Sequence, residues 1–99
     1  MFPKKQKKKS RKIVERLRQE AKCCLACGRA AQLEVDHITT RGAGGGDEEN
    51  NLWILCFDCH RKRHSLGWSK FLSTHSHLVQ KLKEMGREDI LERVKRWAK

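Results

Sequence analysis

The sequence predicts an α+β fold: a two-stranded hairpin running into a helix, with one helix ahead of it and more behind. Three observations carry this. Leu33-Glu34-Val35-Asp36 alternates apolar and polar residues as a half-buried strand does, and Leu52-Trp53-Ile54-Leu55 is a short apolar run suited to pair with it. The segments on either side repeat their apolar residues at helical spacing. Two Cys-x-x-Cys pairs, Cys24 with Cys27 and Cys56 with Cys59, bracket the hairpin.

At 99 residues the chain has the length of one domain, able to bury roughly 60–70% of its unfolded surface. Apolar residues make up 37% and charged residues 35%, so a structural metal worth on the order of 10 kcal/mol would supplement a thin core. Four soft thiolates delivered by two tight turns suit tetrahedral zinc. The five cysteines fit four ligands plus one spare thiol in a reducing compartment better than a closed disulfide framework. Net charge is +11, from 23 Lys and Arg against 12 Asp and Glu, which favours approach to a polyanion and makes nucleic acid the leading partner. A membrane partner is not expected, because no apolar run nears the roughly 20 residues that span a bilayer. The N-terminus lacks the apolar core of a signal peptide, so an intracellular, cytoplasmic location is expected, the host cytoplasm if the chain is viral. A monomer suffices for all of this.

In chain order, residues 1–12 carry seven Lys or Arg and almost nothing apolar, the composition of a basic flexible arm. Residues 13–99 then form a single domain, with a core at 24–66 and a C-terminal helical extension at 68–99. Ile13, Val14, Leu17 and Ala21 predict an amphipathic helix from Ser10 or Arg11 to about Lys22. Cys24-Leu25-Ala26-Cys27-Gly28 makes a knuckle, with Cys24 taken as the ligand over its neighbour Cys23. The glycine-rich stretch from Gly42 to Asn50 predicts a long, flexible hairpin tip. Asp58 is expected to cap a helix that runs to about Leu66 and ends at Gly67. Trp68, Phe71 and Leu72 predict a short helix, and two further helical faces are read from Leu78, Val79, Leu82 and Met85 and from Ile90, Leu91, Val94 and Trp97, with Gly86 between.

The residues with chemistry lie between the cysteines. His60 and His64, at i and i+4, put two imidazoles on one side of a helix, a spacing that can grip one ion. The alternative for His64 is membership of the solvated run Arg61-Lys62-Arg63-His64. Asp36 offers a hard oxygen ligand and His37 a nitrogen able to take a proton from water near neutral pH. Phosphodiester hydrolysis needs both a base and a cation. Adjacent residues of a regular strand face opposite ways, so the strand must end, twist or bulge near Asp36 for both groups to serve one phosphate. Mixed carboxylate and imidazole donors suit Mn2+, Ni2+, Co2+ or Zn2+ better than Mg2+.

Taken together, Val35-Asp36-His37-Ile38, Asn51-Leu52, Leu55-Cys56 and Cys59-His60 resemble the signature of the HNH endonucleases, whose named positions fall on His37, Asn51 and His60. The four cysteines resemble the zinc-stapled branch of that family, and His64 resembles the second histidine on the metal-binding helix of colicin nucleases. The resemblance covers about two-fifths of the chain. It implies a ββα-metal core with structural Zn2+ on Cys24, Cys27, Cys56 and Cys59. Asp36 and His60, with His64, would bind a catalytic divalent ion, taken as Mn2+ or Mg2+. His37 would be the general base and Asn51, with Asn50 its rival by one position, would hold the loop that orients it. The implied reaction is hydrolysis of DNA, double-stranded, by nicking or by cutting both strands, leaving a 5′ phosphate and a 3′ hydroxyl. Chains of this look occur in bacteriophages, mobile elements and bacterial defence loci. The competing class is a non-catalytic zinc-bound nucleic-acid-binding module, which needs the cysteines and the charge but not Asp36, His37 and His60; a structural RNA-binding protein rests on charge alone.

Overall fold

The computed structural model describes residues 9–97, with backbone alone for 95–97. The fold is α+β: α1 (Arg11–Glu20), β1 (Leu33–His37), β2 (Leu52–Cys56), α2 (Phe57–Leu66), α3 (Trp68–Thr74), α4 (His77–Glu84) and α5 (Glu88–Trp97). Most of the basic arm expected at 1–12 lies outside the described residues, as does the side chain of Trp97. Arg11 and Lys12, where the expected arm and the helix expected from Ser10 or Arg11 overlap, belong to α1, because the Ser10 hydroxyl accepts the amide of Ile13 at 3.2 Å and starts the helix there.

The two strands pair antiparallel, with Asp36 opposite Trp53 and His37 opposite Leu52. Alternation then puts Glu34, Asp36, Trp53 and Leu55 on one face of the sheet and Leu33, Val35, His37, Leu52 and Ile54 on the other. α1 and α2 each pack against both strands. Leu25 of the knuckle donates its amide to Ile54 at 3.0 Å, which fixes the first cysteine pair to β2.

The start of α2 differs from expectation. Its cap is Cys56, whose sulfur lies 3.5 Å from the Cys59 amide, and Asp58 sits in the first turn. Cys56 ends β2 in extended conformation and must turn its sulfur toward the knuckle, so the same atom reaches the free amides of the helix. Gly67, at φ +83°, closes α2 by donating to Arg63 at 3.0 Å, a backbone conformation that suits glycine.

Trp53 and Leu55 of the sheet share one core with Phe71 of α3, Leu78 and Leu82 of α4 and Ile90 of α5. The His77 ring also meets the Leu25 carbonyl at 2.8 Å, so the C-terminal helices continue the core around the cysteine knuckle. No helix among the described residues is long and apolar enough to cross a membrane.

The hairpin tip is not the loose segment its glycines suggest. Thr40 caps a 3-10 turn at Arg41–Ala43, a second 3-10 turn spans Glu49–Asn51, and Gly45, Gly46 and Asp47 between them are buried. A Cβ on Gly45 would lie 1.8 Å from the Thr39 carbonyl oxygen, so this glycine permits close packing of two backbone segments.

Candidate metal centre and HNH motif

Two groups of side chains able to share an ion occur among the described residues: Cys24, Cys27, Cys56 and Cys59, and Asp36, His60 and His64. In the first, all four sulfurs lie within 4.8 Å of one another, and the sulfurs of Cys27 and Cys56 are 3.7 Å apart. A tetrahedron with Zn–S bonds of about 2.3 Å has edges of about 3.8 Å, so the spacing fits zinc. Amides of Ala26, Cys27 and Cys59 point at the sulfurs of Cys24 and Cys56 at 3.3–3.5 Å, as donors to thiolates should. Burial opposes ionisation of Cys24, yet backbone hydrogen bonds outweigh it and bring its thiol down to about 7. Burial and the neighbouring sulfurs hold Cys59 well above the usual thiol range. Cys23 is exposed and stands outside the cluster.

The second group forms where β1 crosses α2. Asp36 is 1% exposed, and its Oδ1 lies 3.0 Å from His60 Nε2 and 3.4 Å from His64 Nε2. Donors about 2.1 Å from one cation and at right angles lie about 3 Å apart, and one carboxylate with two imidazoles on a single side is a set that leaves coordination positions open. The residues fit a divalent ion. Glu34, two residues before Asp36 on the same strand face, holds His60 Nδ1 at 2.7 Å. With His60 Nδ1 donating its proton to the Glu34 carboxylate, the Nε2 lone pair would face a bound ion.

Arg63 was not read from the sequence as part of this centre. It is 4% exposed and forks onto Asp36, Nε to Oδ2 at 2.5 Å and Nη2 to Oδ1 at 2.8 Å. Its Nη2 also reaches the carbonyl of His37 at 3.0 Å, and its guanidinium lies 4.5 Å from the centre of the Trp68 ring. The indole of Trp53, opposite Asp36 in the sheet, donates to Oδ2 at 2.7 Å. A signal for Arg63 existed: positions 60, 63 and 64 share a helix face.

His37 does not join the ligand cluster. β1 ends at this residue, and its ring turns into the hairpin tip, where Nε2 meets Asp47 Oδ1 at 2.8 Å. Asp47 is 4% exposed, accepts the Ser10 amide at 3.0 Å and pairs with Arg41 at 3.3 Å. The hydrogen bond from His37, more than any other contact, holds its carboxyl below the usual carboxylate range against the opposing effect of burial. An acidic residue within a glycine-rich loop gave no sequence sign of this pairing.

Asn51 closes the loop. Its Oδ1 accepts the Thr39 amide at 2.7 Å, and its Nδ2 donates to the carbonyls of Thr39 at 3.0 Å and Gly46 at 2.8 Å. It is 4% exposed, whereas Asn50 is exposed. Arg87, between α4 and α5, donates to the same Oδ1 and to Thr39 Oγ1, each at 2.7 Å. Nothing in the sequence linked that arginine to the hairpin.

The model of the HNH endonuclease family matches residues 24–66. No curated protein and no solved structure matches the chain. The matched segment begins at the first zinc-cluster cysteine, ends with α2, and contains the hairpin and both candidate ion sites. Over residues 24–66 the chain therefore matches the HNH endonuclease family.

Proposed function

We propose that this protein is a metal-dependent DNA endonuclease that hydrolyses phosphodiester bonds. The observation that carries the reading is the convergence of Asp36, His60 and His64 on one point, with His37 as the very next residue along β1. β1 ends at His37, where strict alternation of side chains between the two faces stops, and this supports a phosphate lying over the strand end between the ligand cluster and the His37 ring.

Each residue then has a task. Trp53 and Arg63 fix the Asp36 carboxylate with Oδ1 toward the histidines. Glu34 fixes the His60 tautomer. A divalent ion bound by Oδ1 and the two Nε2 atoms would supply positive charge to the phosphate and to the departing oxygen. With its Nε2 proton directed at Asp47, His37 keeps its lone pair on Nδ1, and that nitrogen takes the proton from the attacking water. Asp47 holds the ring and stabilises the imidazolium that results. Asn51 ties the two ends of the loop that carries Asp47. The zinc knuckle keeps β2 and α2 in register. Double-stranded DNA is the proposed substrate, consistent with the net charge of +11.

The test is a supercoiled plasmid incubated with the protein and Mn2+ or Mg2+. Relaxation or linearisation with Mn2+ at least as fast as with Mg2+, and lost in His37→Ala and Asp36→Asn, is expected. DNA retained by the protein but left uncut in every divalent ion would instead assign a zinc-bound nucleic-acid-binding module.

A further inference from the structure

Beside the ligand histidines runs an open groove of about 500 Å3 lined by Glu34, Phe57, His60, Arg61, His64 and Ser65. Its size lies within the roughly 300–1,000 Å3 span of small-molecule sites. Phe57 opens α2 and is 41% exposed, one of two large apolar side chains so exposed among the described residues. Arg61, one turn on, has its guanidinium carbon 5.4 Å from the centre of the Phe57 ring. Phe57, His60, Arg61 and His64 are spaced three and four residues apart and form one stripe along α2. An aromatic ring in contact with water therefore stands in the same groove as the two histidines that would hold the ion.

The core does not need that ring. Trp53, Leu55 and Phe71 fill the interior, and Phe57 stays at the surface between charged residues. The occupant must suit an aromatic face, a guanidinium and an adjacent cation centre at once, and in a chain of net charge +11 that occupant is a nucleic-acid strand. Every base has a π face that stacks on phenylalanine without regard to sequence, while arginine meets the phosphate or stacks as well. A base inside an intact duplex already has both faces covered by its neighbours.

Building on the endonuclease reading, we propose that this groove is a base-stacking site: Phe57 holds an unstacked nucleobase and Arg61 the adjoining backbone, so that the strand is gripped beside the scissile phosphate where it is single-stranded or locally unpaired. Substrate preference then follows from strand state rather than from base sequence.

The test compares two fluorescein-labelled single strands of equal length, a thymidine oligonucleotide and its abasic counterpart, with no divalent ion added so that no cutting intervenes. Fluorescence anisotropy is read for the parent, Phe57→Ala and Phe57→Trp, each matched for zinc content and helical circular dichroism. The parent binds the base-bearing strand more tightly. Phe57→Ala weakens that strand roughly 5- to 100-fold and the abasic strand less than about twofold, while Phe57→Trp keeps the difference. Equal binding of both strands by the parent, or an equal effect of Phe57→Ala on both, overturns the proposal. Plasmid cleavage by the same proteins separates the two ideas. Base-dependent binding lost in Phe57→Ala without cleavage by the parent supports the stacking site and removes the endonuclease reading; cleavage with base-independent binding does the reverse.

Discussion

Arg87 donates through Nη1 to Oδ1 of Asn51 at 2.7 Å, so a residue beyond the HNH-matched segment 24–66 braces the asparagine that ties the hairpin tip together. The guanidinium is 8% exposed, reaches Thr39 Oγ1 through Nη2 and is itself held by Asp89 at 2.9 and 3.0 Å. The C-terminal helices thus do more than cover the apolar side of the sheet. They add a charged donor to the loop that presents Asp47 to His37.

Arg87→Ala removes hydrogen bonds from a charged donor to three hairpin oxygens, Asn51 Oδ1, Thr39 Oγ1 and the Asn50 carbonyl, a loss of about 1.5–3 kcal/mol. Urea unfolding should show that loss, and plasmid cleavage by the folded variant should drop as the Thr39–Asn51 loop loosens, with zinc content unchanged. A variant that keeps both its unfolding midpoint and its cleavage rate would mean that the contact braces nothing.

Arg63 and Asp36 form a nearly fully buried ion pair. Removing one partner of such a pair commonly costs about 3–5 kcal/mol, because the other charge stays buried without compensation. Arg63→Leu should therefore be strongly destabilised without divalent ions. The same variant should gain more stability from added Mn2+ than the parent does, since Asp36, His60 and His64 then meet the cation without a neighbouring guanidinium 3.1 Å from His64 Nε2. Thermal melts with and without Mn2+ measure both effects. Equal Mn2+ stabilisation of variant and parent would contradict this account of the site.

The Asp47 carboxyl is held below its usual range, first by its hydrogen bond with His37, with the Ser10 amide and Arg41 adding to it against burial. A depressed folded-state pKa contributes stability that is fully present above the unfolded value, about 3.9, and is lost as pH falls through the lower folded value. Asp47→Asn cannot make that contribution. The parent should exceed Asp47→Asn by about 1–2 kcal/mol near neutral pH, with the gap closing below pH of about 4. A gap that widens in acid would reverse the assignment.

The sequence pattern located the strands, the two cysteine pairs and the shared helix side of His60 and His64 because each follows from a local period: two along a strand, three or four along a helix, two between knuckle cysteines. That Asp36 lies with those histidines follows from no period and was expected only from the resemblance to the HNH signature. Glu34 and Arg63 obey the same periods and were legible in principle, one beside Asp36 on its strand face and the other beside His60 and His64 on theirs. Asp47 and Arg87 were not. Their partners, His37 and Asn51, lie across a loop or in a distant part of the chain, and no period connects them. The hairpin tip was misjudged for a related reason. Glycine richness signals backbone freedom, but Gly45 is used for close approach to Thr39, and Asn51 makes the approach rigid.

The cysteine cluster yields the last prediction. A structural zinc contributes on the order of 10 kcal/mol, comparable to the roughly 5–15 kcal/mol net stability of a whole domain. Cys24, Cys56 and Cys59 are also buried members of the core, so losing the ion would leave crowded thiols where β2 meets α2. Graded chelation should therefore proceed in two stages. The weaker ion on Asp36, His60 and His64 leaves first, abolishing cleavage while circular dichroism stays constant; zinc then leaves and helicity collapses with it. Cys24→Ser should fail to hold zinc and fail to fold. Cys23→Ser should match the parent in zinc content, unfolding midpoint and cleavage, because Cys23 lies outside the cluster. Helicity that survives complete zinc removal would show that the apolar core suffices alone, and the knuckle would then need another purpose.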